Sequence, residues 1–212
     1  MLLFGTAQPT CRRQCGSAVR ERPTASESRD VVPAGPDPDR LSERTQMRYG
    51  LALTGYAVAN LAFAVPHAAV VYPGREITTV LGVLAAVAAL MAVPGILRVR
   101  WQLATPAAAA LAVVTVVQPL SLPADLVGGY AHWAQGAIGW CLLPLLLAVP
   151  TRRGAMVLIG YWVLGAVVEF ACHPAASVLV NIGLGTASIL SVQLFALWFN
   201  GLIREASVDA QA

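Results

Sequence analysis

In the hydrophobic part of this sequence, few side chains can exchange a proton or hold a cation. They are His67, Glu76, Asp125, His132, Glu169, Cys172 and His173. Histidine titrates near neutrality, and a carboxylate at a membrane interface is readily shifted upward. Glu169 precedes Cys172 and His173 by three and four residues, so a persisting helix brings them to one side. His67, Asp125, His132, Glu169, Cys172 and His173 thus form a candidate cluster responsive to pH, to cations or to a metal. A metal would need His132 or His67 brought close to Glu169 and His173, which spacing leaves open. The plainer explanation is that polar groups gather where water is.

Other chemistry is excluded motif by motif. Cys11 and Cys15 have no histidine nearby and supply two ligands where zinc wants four, so they read as reduced, inert thiols. No phosphate-binding glycine loop occurs, because Gly183 and Gly185 lie in an apolar stretch with no lysine after them. Ser188 and Ser191 have no histidine at their own end of that stretch. No paired carboxylates and no zinc-protease motif appear, so no catalytic residue is assigned and no cofactor is expected. Arg12-Arg13 is not followed by the apolar run of an export signal.

The elements that would carry these residues follow from composition. The 212 residues are 57% hydrophobic and 12% charged, with a mean hydropathy of +0.66. Soluble domains run nearer 45–50% apolar with about a quarter charged, so the composition indicates an all-α, polytopic membrane protein. There is no lysine, and eight of the 14 arginines precede residue 49. The net charge of +3 therefore makes no basic stripe, and nucleic acid is not an expected partner. Residues 1–47 are polar and proline-rich without apolar periodicity and read as a disordered head. Translation starting at Met47 is a second explanation of that head.

Six stretches are long and apolar enough to cross a hydrocarbon core of about 30 Å: residues 50–72, 77–97, 102–122, 126–149, 154–172 and 175–203. Together they make a six-helix bundle over 48–203, followed by a cytoplasmic helical tail over 204–212. Arg40, Arg44 and Arg48 precede the first span. Arg98 and Arg100 follow the second, Arg152 and Arg153 the fourth, and Arg204 the sixth. The alternate connections hold only Arg75 with Glu76, Asp125, and His173. The positive-inside rule then places both termini in the cytoplasm and the candidate cluster outside. His132 falls about 9 Å inside the fourth span, at 1.5 Å per helical residue. Pro144 predicts a kink in that span. Tyr72, Trp101, Tyr130, Trp133 and Trp198 are placed for interfacial belts. No charge falls near the middle of any span, which argues against coupled ion transport. A small transporter subunit or an accessory membrane protein remains the alternative function.

Gly183, Ala187 and Ser191 repeat at four-residue spacing, a stripe suited to close helix packing. It serves either packing inside the bundle or a homodimer through span six. After Phe195, Trp198, Asn200, Gly201, Arg204 and Glu205 the chain keeps helix-favouring residues to its end. With the Arg40, Arg44, Arg48 series at the entrance, residues 40–212 resemble the amino-terminal membrane region of sensor histidine kinases from GC-rich bacteria. The resemblance implies a signal-sensing module of a two-component system in the bacterial cytoplasmic membrane. Its partner would be a cytoplasmic kinase or regulator beside the lipid bilayer. His67, His132 and His173 lie in or beside spans and cannot be a phosphoacceptor. The resemblance therefore implies a sensor half without the kinase core.

Overall fold

The computed structural model describes residues 38–71, 74–97, 103–127 and 132–209. The head up to residue 37, with Cys11 and Cys15, lies outside the described residues, as do the Arg98 and Arg100 connection and residues 210–212. Among the described residues the chain is all-helical. The helices are α1 (Pro38–Val71), α2 (Arg75–Leu90), α3 (Val93–Ile96), α4 (Ala104–Ser121), α5 (Ala134–Leu146), α6 (Thr151–Cys172), α7 (Ala176–Val180) and α8 (Ala187–Asp209). A π-helical segment, Asn181–Thr186, joins α7 to α8 without a break. The expected boundary after residue 47 is crossed by α1, which starts at Pro38. Proline suits a first helical turn, where its missing N–H would be unbonded anyway. The ten residues after it contain neither Gly nor Pro.

Five stretches are long and apolar enough to cross a membrane: Glu43–Val71, Glu76–Ile96, Ala104–Ser121, Thr151–Cys172 and Ala176–Ala206. Their outward side chains are apolar, with Phe63 81% and Val70 87% exposed. Water would penalise that surface and lipid does not.

The expected fourth span differs most from expectation. Pro123 holds Leu122 extended, Ala124–Leu126 forms one 3-10 turn, and Val127 is extended again. Regular helix begins only at Ala134, so α5 has 13 residues and a length of about 20 Å. Pro144, where a kink was expected, sits two residues before the end of α5, and the helix continues through it to Leu146. Nine of its 13 residues are buried, which makes α5 the central helix. An apolar surface all round is what such a position requires.

Contacts give the direction of each helix. Tyr161 Oη donates to the Ala108 carbonyl at 2.5 Å, and His173 Nε2 lies 3.3 Å from the Pro119 carbonyl. Helices α4 and α6 therefore run parallel. Helix α5 runs against α6, with His132 opposite Glu169 and Leu146 opposite Gly154. It runs alongside α8: Gln193 Nε2 donates to Gly136 O at 3.2 Å and Asn200 Nδ2 to Leu147 O at 3.1 Å. One turn further, Arg204 Nη1 donates to Val149 O at 3.3 Å. These two donations satisfy carbonyls that the early end of α5 leaves without helical partners.

The buried seam of the last helix is thus Thr186, Gln193, Leu197 and Asn200. Of the stripe read as suited either to packing inside the bundle or to a homodimer, Gly183 and Ser191 are exposed and Ala187 is half buried, and a Cβ built on Gly183 meets nothing within 4 Å. The π turn rotates the positions after it relative to α7, because it carries an extra residue. Trp133, expected in an interfacial belt, is buried, while Trp198 is half exposed.

Close approach between α5 and α8 depends on Gly139, whose missing Cβ leaves room for the Gln193 amide. Gly139→Val should cost about 1–3 kcal/mol through overpacking. In detergent its melting temperature should fall by about 5 °C or more. Gly55→Ala, facing open space, should melt with the parent.

Candidate functional site

Glu169 lies one turn before the end of α6 on its inward face and is 0% exposed. The nearest charged partner is His132, just before α5, whose Nε2 is 3.3 Å from Glu169 Oε2. The distance is within ion-pair range but lacks the alignment of a hydrogen bond. Nε2 and both carboxylate oxygens are thus buried without a protein hydrogen-bond partner. Leaving ionisable groups in this state is expensive, and native interiors seldom do so without a functional reason. The helix register contributes directly: α5 starts late, so His132 stands at the end of the helix and not two turns inside it.

His173 caps α6, one helical turn after Glu169. Its ring contacts the Pro119 carbonyl. The remaining members of the expected cluster do not join this pair. Asp125 is exposed on its 3-10 turn, His67 is exposed on α1, and Cys172 is a half-buried free thiol. Among the described residues no set of three or more His, Cys, Asp or Glu could hold a metal. The proposed cluster of six residues therefore reduces to Glu169 and His132, with His173 beside them.

His132 also lines a groove of about 590 Å³ between α1, α5 and the last helix. Asn60, Trp133, Asn181 and Thr186 supply its polar groups, and Tyr56 and Trp140 stand as an edge-on aromatic pair with centroids 4.7 Å apart. Trp133 Nε1 is buried without a partner. In the π segment, residues four and five apart share a face, which puts Asn181, Gly185 and Thr186 together on the groove wall. Thr186 is also a fixed point: its hydroxyl donates to Ile182 O at 2.8 Å and accepts from Trp162 Nε1 at 3.1 Å.

That last contact links α6, which carries Glu169, to the final helix. A second link joins α5 to α6, where Gln135 Nε2 donates to Trp162 O at 3.3 Å and its amide fills the space left by Gly165. Sequence reasoning missed Asn60, Trp133, Gln135, Asn181, Thr186 and Gln193. The available signal was polarity itself, since amide side chains inside apolar spans are costly unless bonded or used. Compared with known proteins, the chain matches no family model, no curated sequence and no solved structure, so the geometry alone carries the functional argument.

Proposed function

We propose that this protein is an integral membrane sensing module with six crossings and both termini in the cytoplasm. The Glu169–His132 pair is its responding element and α8 its output. One observation carries the proposal: a fully buried carboxylate stands 3.3 Å from a buried imidazole in a helical interior whose other buried polar side chains, among the described residues, are hydroxyls and amides. An ionisable residue inside a membrane domain is a functional group by default. Gain or loss of one proton there changes the charge of a water-poor site, and a shift of a few kcal/mol suffices to exchange two arrangements of a helix bundle. The Trp162–Thr186 hydrogen bond offers the mechanical route from α6 to the last helix. In this reading the cytoplasmic end of α8 engages a kinase or regulator of the two-component type. The outward Gly183, Ala187 and Ser191 stripe serves self-association.

The test uses Ala206→Cys, an exposed position on α8, with the native cysteines replaced by alanine. The protein carries an environment-sensitive fluorophore and sits in lipid nanodiscs. Lowering pH from about 8 to about 4, a range that takes in a buried carboxylate shifted upward and a buried imidazole shifted downward, should shift the emission. The shift should vanish in Glu169→Gln and in His132→Gln. An unresponsive parent, or the same shift in all three proteins, would reject the proposal.

A further inference from the structure

The groove between α1, α5 and the last helix is graded along its length. At the end near His132 its lining is polar: Asn60, Trp133 and Asn181. Toward the middle of the bundle it becomes apolar, through Trp140, Ile189 and Val192. Its outer side opens between two lipid-facing helices, with Tyr56 and Val192 about half exposed. Bilayer chains cannot satisfy amides or an indole N–H, so polar groups left facing hydrocarbon are costly. Asn60 and Asn181 make the point most sharply, since both line the groove and are only half buried. The volume of about 590 Å³ is that of a small-molecule site.

We propose that this groove binds a single-chain neutral amphiphile, an acyl chain carrying a compact amide or hydroxyl head. The polarity gradient sets its orientation, with the head against Trp133, Asn60 and Asn181 and the chain running along Trp140, Ile189 and Val192. A primary amide or glycerol head both donates and accepts hydrogen bonds, matching the carboxamides of Asn60 and Asn181. Charge selects against other lipids. No Arg, Asp or Glu lines the groove, so a phosphate would enter without a cation and an ammonium without a carboxylate within reach. The one histidine that lines the groove, His132, has its Nε2 turned toward Glu169. Binding at the groove stands on its own; it also supplies the sensing module with a stimulus from the bilayer, as the occupant would rest against His132.

The experiment uses the full chain in nanodiscs and dodecanamide bearing a diazirine in its chain. Illumination should label peptides covering residues 132–140 and 181–192 above all other lipid-facing peptides. Unlabelled dodecanamide and monolauroylglycerol should compete, whereas dodecylphosphocholine should not. Asn60→Leu with Asn181→Leu should lower labelling about tenfold, the effect of losing the hydrogen bonds to the head. Ala64→Phe, which narrows the head end, should lower it as well. Labelling spread evenly over the bundle, or equal competition by phosphocholine, would overturn the inference in favour of ordinary bilayer lipid. If a variant fails to fold, the competition series on the unmodified chain still decides. Loss of labelling with an intact pH response at Ala206→Cys would remove this inference alone. Labelling without that response would remove the sensing proposal alone.

Discussion

Glu169→Lys should remove most of the folded protein from the membrane, whereas Glu169→Gln should leave abundance close to the parent. The carboxylate is 0% exposed and faces a histidine. An ammonium in its place starts from a site with no accessible surface and meets like charge whenever His132 or His173 is protonated. Breaking a buried pair so that one charge is left uncompensated costs about 3–5 kcal/mol, a large part of a domain's total stability of about 5–15 kcal/mol. Glutamine keeps the volume and brings no charge. Immunoblots of the membrane fraction, with melting curves in detergent, give the comparison. A Glu169→Lys protein with parental abundance and melting temperature would mean that the site reaches water.

The second large effect concerns α5. Reporter fusions after Gly74, Ala124 and Pro174 should report the outside, and fusions after Arg100 and Arg153 the cytoplasm. Everything turns on the pair Ala124 and Arg153, which bracket a helix of 13 residues in a core that asks for about 20. In the proposed topology such a crossing would rest on the enclosure of α5 by other helices. Irregular backbone at membrane depth is tolerated where protein covers it and bonds its carbonyls. Asn200 and Arg204 perform that bonding at Leu147 and Val149. If Ala124 and Arg153 reported the same side, the chain would cross five times. The termini would then lie on opposite sides, and the sidedness of the Glu169 site would need to be reassigned.

Much of the architecture was legible in the residues. Of the six spans that hydropathy marked, five are helices long and apolar enough to cross a membrane among the described residues, because a helix that must satisfy its own backbone in lipid announces itself by an unbroken apolar run. The arginine alternation gave their expected directions, and the contacts order α4, α5, α6 and α8 consistently with it. The start of α1 at Pro38 was missed because polar, charged residues show no apolar period, although nothing in Asp39–Arg48 opposes a helix. The fourth span was over-extended because hydropathy reports apolarity and not helix. The extended residues on either side of Ala124–Leu126 are as apolar as the helix that follows.

By itself the sequence determined that the protein is helical, that its long helices suit a membrane, and that its ionisable residues avoid their middles. These properties are local, since each depends on a window of about 20 residues and the cost of leaving backbone or charge in hydrocarbon. Only tertiary structure decided which ionisable residues meet. Glu169 and His132 are far apart in sequence, and their contact depends on antiparallel packing of α5 against α6 and on where α5 begins. The face of the last helix was likewise undecidable from spacing. One π turn between Asn181 and Thr186 rotates every later residue relative to α7, and so sets the face that carries Gln193 and Asn200 inward. Such a turn is stabilised by its neighbours, through Thr186 held by Trp162 of another helix, and no local pattern encodes a hydrogen bond between helices.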